Sequence, residues 1–223
     1  MKCILFGGTG EVGGAVARAL IASDVCDQLT LLGRRPATAL RDEPKVRQTI
    51  LDTSAADFED QVREEARGHD VGISCVGVGS GTASITEEAL MAIEVQLPAQ
   101  FARGCKAAGI EVFELLTAVG DHDSPADSRF KYSRVMGHKQ KAVVEVGFEK
   151  LAIFKPGTIV GNAHTPRWIT PLMGLIPDSL GWGNIQLGDL ARAFVAHLEK
   201  RAASQREPVV SYGNEEMKRL VRE

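Results

Sequence analysis

A doubly wound α/β fold, one parallel sheet with helices on both faces, is predicted by three observations. Short apolar runs alternate along the chain with segments whose apolar residues recur at helical spacing. The first run, Cys3 to Phe6, feeds the glycine-rich turn Gly7-Gly8-Thr9-Gly10-Glu11-Val12-Gly13-Gly14. No repeat, low-complexity tract or linker divides the 223 residues, a length that suits one domain. The strand order expected is 3-2-1-4-5-6, with room for a short seventh strand and a small cap over residues 162–207.

Behind the turn, Val12, Val16, Ala17, Leu20 and Ile21 form one apolar helical face. Strand, glycine turn and helix is the context in which such a turn binds a dinucleotide on a Rossmann-type sheet. Gly8, Gly10 and Gly13 read as GxGxxG, and Gly7, Gly10 and Gly13 as GxxGxxG. Glycine permits the tight turn, lets backbone approach a pyrophosphate and lets helix pack closely on strand. The helix start adds free N–H groups and a positive dipole end. Gly7, Thr9, Gly10, Glu11, Val12 and Gly13 are therefore candidate cofactor contacts.

The next strands are predicted over Gln28–Leu32 and Val46–Leu51, then a helix over Asp57–Ala66 with Phe58 and Val62 on one face. Val71–Val76 reads as a buried strand running into Gly77-Val-Gly-Ser-Gly81, and Cys75, Val76 and Gly77 are expected against the cofactor. Ser84-Ile-Thr-Glu87 has the form of a capping box and opens a helix through Ala108, stopped by Gly109. Glu111–Thr117 reads as a strand, Phe130–Val146 as a helix and Leu151–Lys155 as a strand, with Pro156 bordering the cofactor. His164–Gly183, with Pro166, Pro171, Pro177, Trp168 and Trp182, reads as an irregular cap and pocket wall. Leu190–Leu198 is a helix and Pro208–Tyr212 a last short strand.

A net charge of −3 and a pI of about 6.0 give no sign of nucleic-acid binding. Cys3, Cys26, Cys75 and Cys105 lack metal-ligand spacing and read as buried reduced thiols, which implies a reducing compartment. The first apolar run is too short for a signal peptide and no segment is long enough to span a bilayer. The expectation is a soluble cytoplasmic protein with neither a membrane nor a nucleic-acid partner.

In this fold the end of strand two reads the adenosine ribose: an acid suits NAD and an arginine the 2′-phosphate of NADP. Leu31-Leu32-Gly33-Arg34-Arg35 has no acid and two adjacent guanidinium groups, so the cofactor expected is NADP(H). Asp52, just past strand three, is the candidate adenine contact.

GGTGEVG, LTLLGRRP and a tyrosine-bearing helix followed by AIFKPG stand in the order of an atypical short-chain dehydrogenase/reductase, which the chain resembles. DVGISCVG, IPDSLGWG and IQLGDLARAF make it similar, more narrowly, to the Tat-interacting-protein-like oxidoreductases, over nearly the whole chain. The resemblance implies NADP(H) on a Rossmann sheet and chemistry by Ser, Tyr and Lys, the last two as Tyr-x-x-x-Lys. Tyr exchanges the proton with the substrate oxygen, Ser hydrogen-bonds that oxygen, and Lys stabilises tyrosinate and holds the nicotinamide ribose.

The chain departs from that pattern. The candidate tyrosine is Tyr132, and the position four beyond it is Met136. Thr117-Ala118 stands where the family has Ser-Ser, so the candidate catalytic residues are Tyr132 and Thr117. Lys139 lies seven residues beyond Tyr132, about 10.5 Å along a helix axis. Glu94, His122 and His138 read as solvated surface groups. The function expected is NADP(H)-dependent oxidation or reduction of a small carbonyl or alcohol compound. A non-catalytic NADP(H) sensor or scaffold and an epimerase or isomerase are the alternatives, and a homodimer is compatible with all three.

Overall fold

Cys3, Ile4, Leu5 and Phe6 are all buried, so the first strand is covered on both faces. The computed structural model describes residues 1–79, 84–119, 130–161 and 183–223. The first strand, β1 (Lys2–Phe6), sits inside a sheet with β2 (Gln28–Gly33) and β3 (Val46–Ile50) to one side. β4 (Val71–Ser74), β5 (Val112–Leu116) and β6 (Lys150–Phe154) follow on the other. A separate parallel pair joins β7 (Thr158–Val160) to β8 (Asn184–Gln186). The seventh sheet strand, β9 (Val209–Tyr212), pairs with β6, giving the order β3-β2-β1-β4-β5-β6-β9 with every neighbour parallel. The strand order reverses between β1 and β4, and a crevice opens at their carboxyl ends.

Side chains of β1 alternate between two cores, as the pleat requires. Cys3 and Leu5 face α1 (Glu11–Ala22), while Ile4 and Phe6 face α2 (Phe58–Ala66). With α1 lie α6 (Leu187–Lys200) and α7 (Asn214–Arg222), and Phe154 of β6 stacks on Phe194 of α6 at 3.8 Å between ring centres. The opposite core runs through Phe58, Phe6, Phe101, Phe113 and Phe148. A Cβ on Gly104 would stand 2.7 Å from Val62, so glycine there is what lets α2 approach its neighbour.

That neighbour is one long helical segment with a fault in it. α3 (Glu87–Met91) passes into a π-helical turn, Ala92–Gln96, and then into α4 (Leu97–Ala107). Pro98 has no N–H to give the carbonyl of Glu94, four residues back, and in an unbroken α-helix its ring would crowd that carbonyl. Widening the turn ahead of the proline relieves the crowding. The start of the segment also differs from the sequence expectation. Thr86, not Ser84, is the cap, its Oγ1 accepting from the Ala89 N–H at 3.2 Å.

α5 (Lys131–Val144) completes the layer beside the π-turn. The β7–β8 pair and α7 were not anticipated from the sequence; the alternation up to β6, and β9 as a seventh strand, agree with it. All four cysteines are free and buried. The expected cap with Trp168 and Trp182, His122, and the end of the glycine stretch, Ser80 and Gly81, lie outside the described residues. Among the described residues no helix is long and apolar enough to cross a membrane.

One polar chain crosses the α6-side core. The fully buried Glu114 of β5 meets Nδ1 of the fully buried His197 of α6 at 2.7 Å. His197 Nε2 faces Gln205 Oε1 at 3.2 Å. The Gln205 amide nitrogen donates to the carbonyls of Glu207 and Leu151, so its oxygen is the atom left to accept from the ring. Nε2 therefore carries a hydrogen, and a single proton lies between Nδ1 and the Glu114 carboxyl. Burial holds that carboxyl above the ordinary glutamate range, against the pull of His197.

Candidate functional site

Gly7 leaves β1 with φ +97°, a conformation reserved for glycine. A Cβ there would stand 2.8 Å from the Cys75 backbone, so the ends of β1 and β4 touch through it. The Gly10 N–H donates to the Gly7 carbonyl at 3.0 Å, closing the turn. Gly13, in the first turn of α1, lies directly over that same carbonyl. A Cβ on Gly10 would meet only Gly7 O, at 3.4 Å, so its remaining side is open. Gly10 is also the N-cap of α1 and brings no side chain of its own. The dipole end of the helix thus opens on the crevice.

A cleft of about 360 Å³ occupies the crevice. Its floor is Phe6, Gly7, Thr9 and Gly10, and one end is Gly33, Arg34 and Arg35 with Thr53. The other side is lined by Cys75, Val76, Gly77 and Val78, together with Ile93 and Leu97. No carboxylate is among the described residues lining it. Glycine amides at a helix N-terminus beside two guanidinium groups fit a dinucleotide with its pyrophosphate on α1.

The cleft gathers most of the candidates from the sequence. Glu11 and Val12 follow in the first turn of α1, where Val12 packs against the core. The Asp52 carboxylate is turned to Ser54, accepting from its N–H at 2.9 Å and its hydroxyl at 2.6 Å. Those bonds hold its carboxyl below the ordinary range, and Thr53 is the residue that reaches the cleft. The Pro156 carbonyl accepts from the Val119 N–H at 2.9 Å, joining the β6 exit to the β5 exit. Burial pushes the Cys75 thiol up, away from the thiolate form.

Behind the Val76–Val78 wall is a buried ion pair. Lys139 Nζ, on α5, donates to Glu94 Oε2 at 3.0 Å and to the Val76 carbonyl at 2.7 Å. Glu94 Oε1 accepts from the Val78 N–H at 2.7 Å. The Lys139 and Glu94 side chains are 2% and 3% exposed. Reading Glu94 as a solvated group is therefore wrong. The π-turn carries it inward, and Pro98, four residues on, is the signal that could have placed it.

Met136 is 1% exposed and packs with Leu90, Val95 and Val135, so the lysine position of the family pattern is filled by core. Tyr132, by contrast, is 39% exposed. Desolvation of its phenol, with a smaller push from Glu94, holds it above the ordinary tyrosine range. Thr117 is buried, and its hydroxyl donates to the Phe154 carbonyl at 3.4 Å. Neither Tyr132 nor Thr117 is among the described residues lining the cleft.

Residues 7–148 match a family described as NAD(P)H-binding. The chain is 27% identical to the protein HTATIP2 of Rattus norvegicus over 91% of its own length and 83% of that protein. It is 25% identical to the mitochondrial protein FMP52 of Coccidioides immitis over 80% and 74%. The oxidoreductase ylbE of Lactococcus lactis superposes with TM-score 0.70 at 19% identity, covering 100% of this chain and 98% of that one. A dTDP-glucose 4,6-dehydratase of Streptomyces venezuelae, solved with NAD, superposes with TM-score 0.72 at 16% identity over 100% and 80%. The two structures bear out the fold, and the first relative bears out the Tat-interacting-protein-like resemblance. The cytoplasmic expectation is corrected: the FMP52 relatives are named mitochondrial. Four free, buried cysteines name no compartment.

Proposed function

The chain belongs to the NAD(P)H-binding family, and on that premise we propose that it is an NADP(H)-dependent oxidoreductase acting on a small carbonyl or alcohol compound. The observation that carries the reading is Arg34 and Arg35 lining the same cleft as Gly7 and Gly10, with no carboxylate among the described lining residues. The turn amides and the α1 dipole hold the pyrophosphate, the two guanidinium groups take the 2′-phosphate, and Thr53 borders the adenine. The Val76–Val78 wall flanks the nicotinamide half. A bound nicotinamide supplies or accepts the hydride.

Tyr132 is the proton donor. A phenol held above its ordinary range stays protonated at neutral pH, which suits it to give a proton to a carbonyl oxygen during reduction. With Met136 in the core, no ammonium one turn away stabilises the tyrosinate left behind. Turnover is accordingly slow and biased toward NADPH-dependent reduction. Calorimetric titration with NADPH and NADH, beside loss of NADPH absorbance over a panel of carbonyl compounds, tests both halves. Equal affinity for the two cofactors defeats the NADP(H) assignment.

A second reading is a non-catalytic NADP(H)-binding sensor. What favours it is that Met136 fills the expected lysine position as core, Lys139 is engaged by Glu94 and the Thr117 hydroxyl donates to backbone. Tight NADPH binding with no turnover across the panel, and with Tyr132→Phe indistinguishable from wild type, supports it.

A further inference from the structure

We propose that Glu94 and Lys139 are positioning residues for the dinucleotide: a buried ion pair that latches the Val76–Val78 wall of the cleft in its binding shape. The inference rests on the cofactor reading given above and names residues outside the glycine turn and the arginine end.

Three elements meet at the pair. The wall follows β4, Glu94 comes from the π-turn and Lys139 from α5. The Val76 carbonyl is taken by Lys139 and the Val78 N–H by Glu94, so the chain is gripped on both sides of Gly77. Each grip is a hydrogen bond to a charged group, the stronger kind. Gly77 itself lies against the carboxylate: a Cβ there would stand 3.2 Å from Glu94 Oε1 and 3.3 Å from Oε2. The segment that supplies the brace also borders the cleft itself, since Ile93 and Leu97, on either side of Glu94 in sequence, are among its lining residues.

Fold stability does not account for the arrangement. Desolvating two charges costs about what their attraction returns, and well-packed apolar side chains would fill the same space. Ala92, Ile93 and Val95 show that apolar residues are at home in this turn. What the ions add is direction: each fixes one backbone group of the wall, which apolar packing cannot do. A wall held this way is ready for the cofactor before it arrives, and binding loses less entropy.

The test uses the full chain as wild type, Lys139→Met, Glu94→Gln and the double variant, with Gly77→Ala as an uncharged perturbation of the same wall. NADPH affinity is measured by calorimetry, thermal stability by melting, and protection of the Val78 amide by hydrogen exchange. The double variant leaves no unpaired charge and is expected to melt close to wild type. It is expected to bind NADPH about ten-fold or more weakly and to exchange the Val78 amide faster. The single variants and Gly77→Ala are expected to bind weakly as well. A double variant that is folded, unchanged in Val78 exchange and equal to wild type in NADPH affinity overturns the latch. Loss of affinity only in step with loss of melting temperature also overturns it. A folded wild type that binds neither NADPH nor NADH overturns the cofactor reading itself, and is distinguished by failing before any variant is made.

Discussion

A Cβ atom on Gly13 would stand 2.2 Å from the carbonyl oxygen of Gly7. Both partners are backbone, so no side chain can move aside. Gly13→Ala is expected to push α1 off β1 and cost about 1–3 kcal/mol, together with cofactor binding. Gly10 has room on its outer side, so Gly10→Val is expected to keep the fold and lose NADPH affinity. Melting curves and NADPH titrations on both variants check the contrast. A Gly10→Val protein with wild-type affinity means that the turn does not carry the pyrophosphate.

Arg34 and Arg35 close one end of the cleft. A hydrogen bond to a charged group is worth about 1.5–3 kcal/mol. Removing either guanidinium is expected to weaken NADPH about ten-fold or more while leaving NADH nearly unchanged. Titrating both cofactors into Arg34→Ala and Arg35→Ala checks this. A parallel loss for both cofactors would place the arginines on the pyrophosphate instead.

The Glu114–His197 pair predicts a pH dependence of stability. Burial raises the Glu114 pKa in the folded state. Below the ordinary glutamate range the carboxyl is protonated in folded and unfolded chains alike, and the folded state bears no cost. As pH climbs from that range through the raised folded value, the unfolded chain ionises first, so this group's stabilisation is lost across the window. Glu114→Gln removes the ionisable carboxyl while keeping a polar partner for Nδ1, and is expected to remove that slope. Denaturant midpoints from about pH 4 upward for both proteins check it, and parallel slopes refute it. His197→Leu strips Glu114 of its partner and is expected to cost about 1–3 kcal/mol at neutral pH.

Tyr132→Phe is expected to abolish carbonyl reduction without changing NADPH affinity, since the proposed mechanism gives the phenol proton transfer and no part in cofactor binding. Met136→Lys is expected to lower the melting temperature sharply, since the new ammonium enters the apolar cluster of Leu90, Val95 and Val135. Steady-state kinetics in both directions, beside melting curves, check the two. Full activity in Tyr132→Phe eliminates the tyrosine mechanism.

Much of this was legible in the residues. Apolar runs reported β1, β2, β4, β5 and β6 because buried parallel strands are apolar on most of both faces; β3, VRQTI at the sheet edge, is partly exposed. The glycine turn and Arg34-Arg35 were legible because their chemistry is local: one needs glycine geometry, the other a charge at a strand end. Glu94 and Lys139 were not, because their burial depends on how far a π-turn swings one helix face, and the two lie 45 residues apart. Asp52 and Thr53 are adjacent, and which of them faces the cleft is decided by the turn that Ser54 closes. β7 and β8, three residues each, carry no pattern of their own and exist through each other.

β9 has a consequence for synthesis. It joins the sheet last, after α6, and is the strand that covers the outer edge of β6. Until Val209–Tyr212 has left the ribosome, β6 presents its unpaired backbone groups, with the buried Phe154 at its end still lacking its Tyr212 neighbour. A growing chain in that state is a template for foreign strands and a natural client for chaperones. Stalling or proteolysis within α6 would thus release a fragment that keeps the dinucleotide turn yet is prone to aggregate.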